Sequence, residues 1–307
     1  MTALARAVRA EAVRAGGLRG AGAVLLALAI AAPAAVTLAV AALSEHVARL
    51  ASSVQVTAVA TTNAAYWVLS LTPVACCAVT AYAAAGSARR EWDRFLVPNP
   101  AVGAAARWLV FGGFAAAATS GLTAIALAAL PLVFPRVYGD VRLVSGAGAR
   151  MVVVGGVTAF LLCGAAIGVA LLLRHPVAAL VAVVGWAEII EPGIALVPGA
   201  ANAQRYMPFH NAVYASGQEL IFAPPWSPDG AIAYLAALCT AAFALGLLAS
   251  AAEGPRGRGG AHHAGTATGN RATSTLETAR FVQRSVDHDA APVRLLVTSS
   301  RTFAPSR

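Results

Sequence analysis

The sequence predicts an all-α polytopic membrane protein with six transmembrane helices. Three observations carry that expectation. Hydrophobic residues make up 59% of the 307 and charged residues only 11%, against roughly 25% charged in an ordinary soluble domain. Apolar runs of about twenty residues or more recur between short charged clusters, the length that a hydrocarbon core of about 30 Å requires of a helix. Aromatic residues are few, at 7%, while Ala, Val and Leu dominate, so the helices must meet through small side chains, as helices do in lipid.

Residues 1–19 carry Arg6, Arg9, Arg14 and Arg19, with Leu4, Val8 and Ala15 near one face if the stretch is helical. An interfacial helix on the cytoplasmic side fits that pattern. The first span is expected over 20–43, with Pro33 tolerated because neighbouring helices can satisfy the freed carbonyl. A secretory signal peptide is the rival reading, since small residues near Ala39 and Ala41 resemble a cleavage site. Cleavable apolar regions are roughly 7 to 15 residues long, and the run here is longer. The remaining spans are expected over 65–85, 108–134, 151–173, 177–197 and 231–249, completing a transmembrane domain over 20–249. From Glu253 onward the composition turns to Gly, Arg, Ser, Thr and His, so 250–307 is expected to be a disordered cytoplasmic tail with at most a transient helix over 275–286.

The chain has no Lys, and all 22 basic residues are Arg, which points to a GC-rich, bacterial genome. The net charge of +9 does not indicate nucleic acid, because the Arg residues flank apolar runs instead of forming a soluble basic patch. With the N-terminus inside, Arg6, Arg9, Arg14, Arg19, Arg89, Arg90, Arg94, Arg107, Arg174, Arg256 and Arg258 are internal. Only Arg49, Arg136, Arg142, Arg150 and Arg205 are external. That asymmetry places both termini in the cytoplasm.

Catalytic machinery is not evident. A phosphate-binding loop needs a Lys on the nucleotide, so any ATP hydrolysis belongs to another subunit and no cofactor is expected on this chain. No Gly-x-Ser-x-Gly or His-Glu-x-x-His arrangement occurs, and no His pair has the spacing of a metal site. Cys76, Cys77, Cys163 and Cys239 all fall in apolar segments, which argues against a disulfide framework.

The segment 86–100, Gly-Ser-Ala-Arg-Arg-Glu-Trp-Asp-Arg-Phe-Leu-Val-Pro-Asn-Pro, mixes both charge signs with large apolar anchors. It suits the membrane face with charges turned to a cytoplasmic partner; an ordinary Arg-rich inner loop is the plainer reading. Glu188 and Glu191 stand three residues apart in the fifth span, so an α-helix puts them on one face. They are candidates for a translocation path, or for ion pairs with Arg205 or Arg150 near the outer interface. Gly164 and Gly168 have the spacing of a close helix contact.

Several segments taken in order resemble a known family. They are Arg9-Ala10-Glu11 before the first span, the charged loop ending in Pro98 and Pro100, and Ala104-Ala105-Ala106-Arg107 at the third span. Then come Gly164-Ala165-Ala166-Ile167-Gly168, Leu172-Leu173-Arg174-His175-Pro176, Glu191-Pro192 in the fifth span, and Arg205-Tyr206-Met207-Pro208-Phe209-His210-Asn211-Ala212. Over residues 1 to about 250 the chain resembles the permease subunits of ATP-binding-cassette (ABC) exporters, the type-two six-span group of actinobacteria. The resemblance implies contact with a cytoplasmic ATPase subunit through Glu11 and through Arg89, Arg90, Glu91, Trp92, Asp93 and Arg94. The family's Glu-aromatic-Arg-x-Gly-Thr pattern is not kept in that loop. It also implies an outer segment over 199–228 that re-enters the membrane as short helices, carrying Tyr206, Pro208, His210 and Asn211. A second permease subunit, as a homo- or heterodimer, would complete the assembly.

The expected function is therefore export of a hydrophobic or amphipathic substrate across the cell membrane, driven by ATP hydrolysed on a partner. The alternatives are a membrane scaffold or regulator that recruits a cytoplasmic protein or acidic lipid through its Arg-bearing tail, and an ion-coupled secondary transporter that relies on Glu188 or Glu191.

Overall fold

The structure, a computed structural model, describes residues 2–15, 21–50, 65–88 and 99–252. The tail and the loop 89–98 lie outside the described residues. Among the described residues ten helices follow in chain order: α1 Ala3–Ala15, α2 Ala21–Leu50, α3 Tyr66–Ala88, α4 Pro100–Val133, α5 Pro135–Tyr138, α6 Gly146–Leu173, α7 Pro176–Leu196, α8 Ala201–Gln204, α9 Pro208–Ala215 and α10 Pro228–Ala252. No strand occurs among the described residues. Six helices, α2, α3, α4, α6, α7 and α10, are long and apolar enough to cross a membrane. The protein is an all-α, multi-pass membrane protein.

Each span lies where the apolar runs place it, but most helices extend beyond them because capping, not hydropathy, sets their ends. Helix α4 starts at Pro100, where Asn99 Oδ1 accepts from the Ala101 amide at 2.9 Å and proline occupies the first helical position. Helix α6 starts at Gly146 because Ser145 Oγ accepts from the Gly148 amide at 3.0 Å. It ends at Arg174, which takes a left-handed conformation with φ 52°. His175 then caps α7 through Nδ1, with Pro176 at its first position. The Leu-Leu-Arg-His-Pro segment is thus a tight reversal between two spans.

Two helices form the centre. In the most apolar window of α3, 72% of residues are buried, and in that of α6, 61%, against 22% in each of the other four spans. Helix α6 packs against α3, α4, α7 and α10. Small residues permit this. A Cβ on Gly246 would fall 2.5 Å from Gly168 O and 2.7 Å from Gly168 Cα, so α6 and α10 cross backbone on backbone. Gly155 accommodates Leu69 of α3, and Gly156 accommodates Ser120 of α4, whose hydroxyl donates to Val152 O at 2.8 Å. Cys76, Cys77, Cys163 and Cys239 all lie buried in this core with free thiols; Cys77 and Cys163 sulfurs are 3.9 Å apart.

The bundle has two distinct ends. At one, α1 packs on the start of α4, and Arg174 Nη2 reaches Ala249 O at the end of α10. At the other, α8 and α9 fill the segment between α7 and α10, and α9 packs on α3, α6 and α10. Helix α1 turns Ala7 and Glu11 inward; Leu4 is exposed instead.

Because the α6–α10 crossing has no room for a side chain, Gly168→Val or Gly246→Val should lower the thermal midpoint of the detergent-purified protein by about 5 °C, from overpacking of about 1–3 kcal/mol. Gly113→Ala, which meets open space, should leave the midpoint unchanged when both are followed by intrinsic fluorescence.

Candidate functional site

Buried polar contacts between helices gather at both ends, and at each end the local cause is a π-helical turn that begins on a tryptophan. Such one-turn widenings let residues five apart align and occur often where a helix must re-aim its side chains.

At the α1 end the turn is Trp108–Gly112 within α4. Arg107, immediately before it, donates from Nε to Glu11 Oε1 at 3.0 Å, and Arg14 Nη1 donates to the same oxygen at 3.0 Å. Glu11 is buried, so its carboxylate joins α1 to α4. The next residue, Trp108, donates its indole N–H to Phe160 O in α6 at 2.8 Å. It stacks on Phe160 at 5.6 Å and tilts against Phe243 of α10 at 4.8 Å. The indole reaches the α6 backbone because Gly164 has no side chain; a Cβ there would sit 2.5 Å from Trp108 Cζ2. Gly164 thus faces α4 and Gly168 faces α10, so the pair serves two neighbours. Adjacent residues Arg107 and Trp108 connect α1 to the central helices. Arg89, Arg90, Glu91, Trp92, Asp93 and Arg94 lie outside the described residues.

At the α9 end the turn is Trp186–Ile190 within α7, followed by Glu191 and Pro192. Pro192 has no N–H to return to the preceding turn, a common cause of local widening. The Glu191 amide bonds to Trp186 O, five residues back, and Trp186 Nε1 donates to Glu191 Oε1 at 3.0 Å. The same carboxylate accepts from the Phe209 amide at 3.1 Å and, through Oε2, from the His210 amide at 2.9 Å. These are first-turn amides of α9, whose own cap residue, Met207, supplies no side-chain acceptor. Glu191, only 3% exposed, therefore caps α9 from another helix and holds it down by charge-assisted bonds.

Around this latch the segment is tied together. Asn211 Nδ2 donates to Arg205 O at 2.9 Å and Met207 O at 2.8 Å, while its Oδ1 accepts from Trp226 Nε1 at 2.9 Å. Tyr234 of α10 donates to Tyr206 O at 2.6 Å and stacks on Trp226 at 4.5 Å. His210 Nε2 is 2.7 Å from Phe222 O. Burial holds the His210 imidazole below the ordinary histidine value of 6.5, opposed by that carbonyl. Pro208 opens α9 at its first position.

The expected ion pair of Glu191 with Arg205 or Arg150 does not form. Arg150 pairs with Asp229 at 2.7 Å and donates to Ala215 O, and backbone amides satisfy Glu191. Nor do Glu188 and Glu191 share a face. In the wider turn three residues no longer come round to the same side, so Glu191 is buried and Glu188 is exposed. Glu188 lies in the C-terminal half of α7, about 12 Å along the helix from Leu196 at about 1.5 Å per residue. A charge at the centre of a bilayer costs about 2.5–3.5 kcal/mol on insertion scales. Reasoning from sequence did not find Trp186, Trp226, Trp108 or the Arg107–Glu11 pair. The available signal was a Trp five residues before a Glu-Pro pair inside an apolar span.

Compared with known protein families, with curated proteins and with solved structures, the chain matches none.

If Glu191 holds α9, Glu191→Ala should accelerate amide hydrogen exchange over 208–215 by tenfold or more, since a bond to a charged acceptor contributes about 1.5–3 kcal/mol. Glu191→Gln, which keeps one carbonyl oxygen, should fall between. A second check uses acid. His210 is neutral when packed and takes a proton more readily when released. Its contribution to closure is therefore present above pH 6.5 and is lost as pH falls below that value. Exchange over 208–215, corrected for the intrinsic pH dependence, should rise below that pH, and His210→Gln should remove the rise.

Proposed function

We propose that this chain is the membrane-spanning permease subunit of an ABC-type exporter. It resides in the cell membrane with both termini cytoplasmic, and works with a separate ATP-hydrolysing subunit and a second permease subunit. The α1 end is then the cytoplasmic end and the α8–α9 segment the outer one, which agrees with the excess of Arg in the inner segments.

The observation that carries the reading is the joint at the α1 end. A partner pressing on α1 acts on Glu11 and Arg107, whose carboxylate–guanidinium contact is 3.0 Å. Arg107 is covalently followed by Trp108, which is keyed to the α6 backbone and to Phe243 of α10. Displacement of α1 is thereby transmitted to the central helices without crossing a loop. At the far end, α9 is held by one carboxylate on α7 and packs on α3, α6 and α10. Movement of these helices relative to α7 strains that latch and opens the outer face, as interfaces with two discrete arrangements do. Substrate would be hydrophobic or amphipathic, because Ala, Val and Leu line the spans.

Affinity purification in mild detergent tests the reading. The tagged wild-type chain should bring down an ATPase whose turnover is measurable in the eluate. An Arg90→Ala, Glu91→Ala double variant should lose most of that activity while remaining folded. Elution of the wild-type chain alone, without turnover, would overturn it.

A further inference from the structure

Six threonines are buried among the described residues, and they divide into two sets. Thr37, Thr80 and Thr158 return their hydroxyls to carbonyls of their own helices, Pro33 O at 2.8 Å, Cys76 O at 2.7 Å and Gly155 O at 3.0 Å. That is the ordinary arrangement for a threonine inside an apolar helix. Thr72 of α3 and Thr119 and Thr123 of α4 do otherwise: each is 0% exposed, and no described residue makes a hydrogen bond to its Oγ1. The faces that carry them converge on α6. A Cβ on Gly155 would stand 2.4 Å from Leu69 Cδ2 of α3 and 3.6 Å from Thr119 Cγ2 of α4, so the two side chains meet one point on the third helix. Thr72 follows Leu69 by three residues and Thr123 follows Thr119 by four, so each shares its neighbour's face. Further along α3, Thr80 Oγ1 lies 3.6 Å from Cys163 Sγ of α6, which keeps Thr72, between the two contacts, inside the junction. On α4, Ser120 donates to Val152 O of α6. Neighbours one turn away are small: Ala115 precedes Thr119 and Cys76 follows Thr72, both buried.

We propose that Thr72, Thr119 and Thr123 hold ordered water at the junction of α3, α4 and α6, inside the apolar thickness of the bundle. A hydroxyl cannot shed its polarity by gaining or losing a proton at ordinary pH, so burial without a partner carries its full cost. Water meets that need with both donors and acceptors, and a buried water makes about three hydrogen bonds. An apolar ligand would leave the hydroxyls unsatisfied. A divalent cation does not fit, because neutral hydroxyls without a carboxylate do not replace its shell of oxygen ligands. The consequence is mechanical. Three central helices are joined here through solvent, whose bonds re-form after a small shift, and not through a fixed side-chain pair. The inference does not depend on the exporter reading.

The test is X-ray radiolytic footprinting of the purified full chain in nanodiscs, read by mass spectrometry. Radiolysis converts bound water to hydroxyl radicals, which oxidise the side chains beside it. Leu69, 3% exposed, packs at the junction, and Leu235 of α10, 0% exposed, serves as the shielded control. In wild type, Leu69 should be oxidised about fivefold or more faster than Leu235. A Thr72→Val, Thr119→Val double variant should bring Leu69 down to the Leu235 rate, and a Thr72→Ser, Thr119→Ser double variant should keep it near the wild-type rate. Oxidation of Leu69 no faster than Leu235 in wild type would overturn the proposal, because the hydroxyls then turn back to their own helices as that of Thr80 does. So would equal Leu69 rates in wild type and the valine variant, because the radicals then arrive from bulk solvent. If the valine variant does not fold, the comparison of Leu69 with Leu235 in wild type decides alone.

Discussion

The backbone crossing of α6 and α10 at Gly168 and Gly246 is the contact on which the remaining geometry depends. Lipid tails are as apolar as leucine side chains, so spans gain little from hiding apolar surface and associate instead through close packing. Here the gain comes from removing side chains altogether, with Gly168 and Gly246 in backbone contact. That crossing brings Phe243 against Trp108. It also sets the two ends, where Arg174 meets Ala249 and Arg150 meets Asp229. A side chain at either glycine separates these partners together.

The two π-helical turns solve the same problem at opposite ends of the bundle. Each places a tryptophan so that its indole N–H finds an acceptor, Phe160 O in one case and Glu191 in the other. In α4 the turn lets consecutive residues serve different neighbours, Arg107 toward α1 and Trp108 toward α6. In α7 it separates two acidic residues that a regular helix would align. One carboxylate becomes a buried cap for α9 and the other stays exposed at membrane depth. A single change of helical pitch thus divides a buried capping carboxylate from an exposed one.

The spans were legible because length and hydropathy leave few alternatives to a helix in lipid. Helix ends were less so. Residues 100–107 are Ala-rich and end in Arg107, a charge that set the expected start of the span at Trp108, yet Asn99 and Pro100 begin the helix eight residues earlier. The segment around Pro208 could be recognised as broken helix from its prolines, but not its attachment, since capping by Glu191 joins residues 18 and 19 positions apart. Glu188 and Glu191 were singled out correctly as unusual and assigned to one face wrongly, because hydrophobic periodicity does not reveal a π turn. The Glu11–Arg107 pair spans 96 positions and has no local signature.

On the proposed exporter reading, movement of α9 is what distinguishes a transporter from a static scaffold, and Val213 within it is 5% exposed. The native cysteines are buried, so a Val213→Cys variant reports on this site against little background. Its labelling by a membrane-impermeant maleimide, applied separately to each side of the membrane with ATP turnover on or off, is the most direct measurement. Labelling from outside only, and faster during turnover, is the expected result. Labelling from the cytoplasmic side, or at a rate indifferent to ATP, would contradict it.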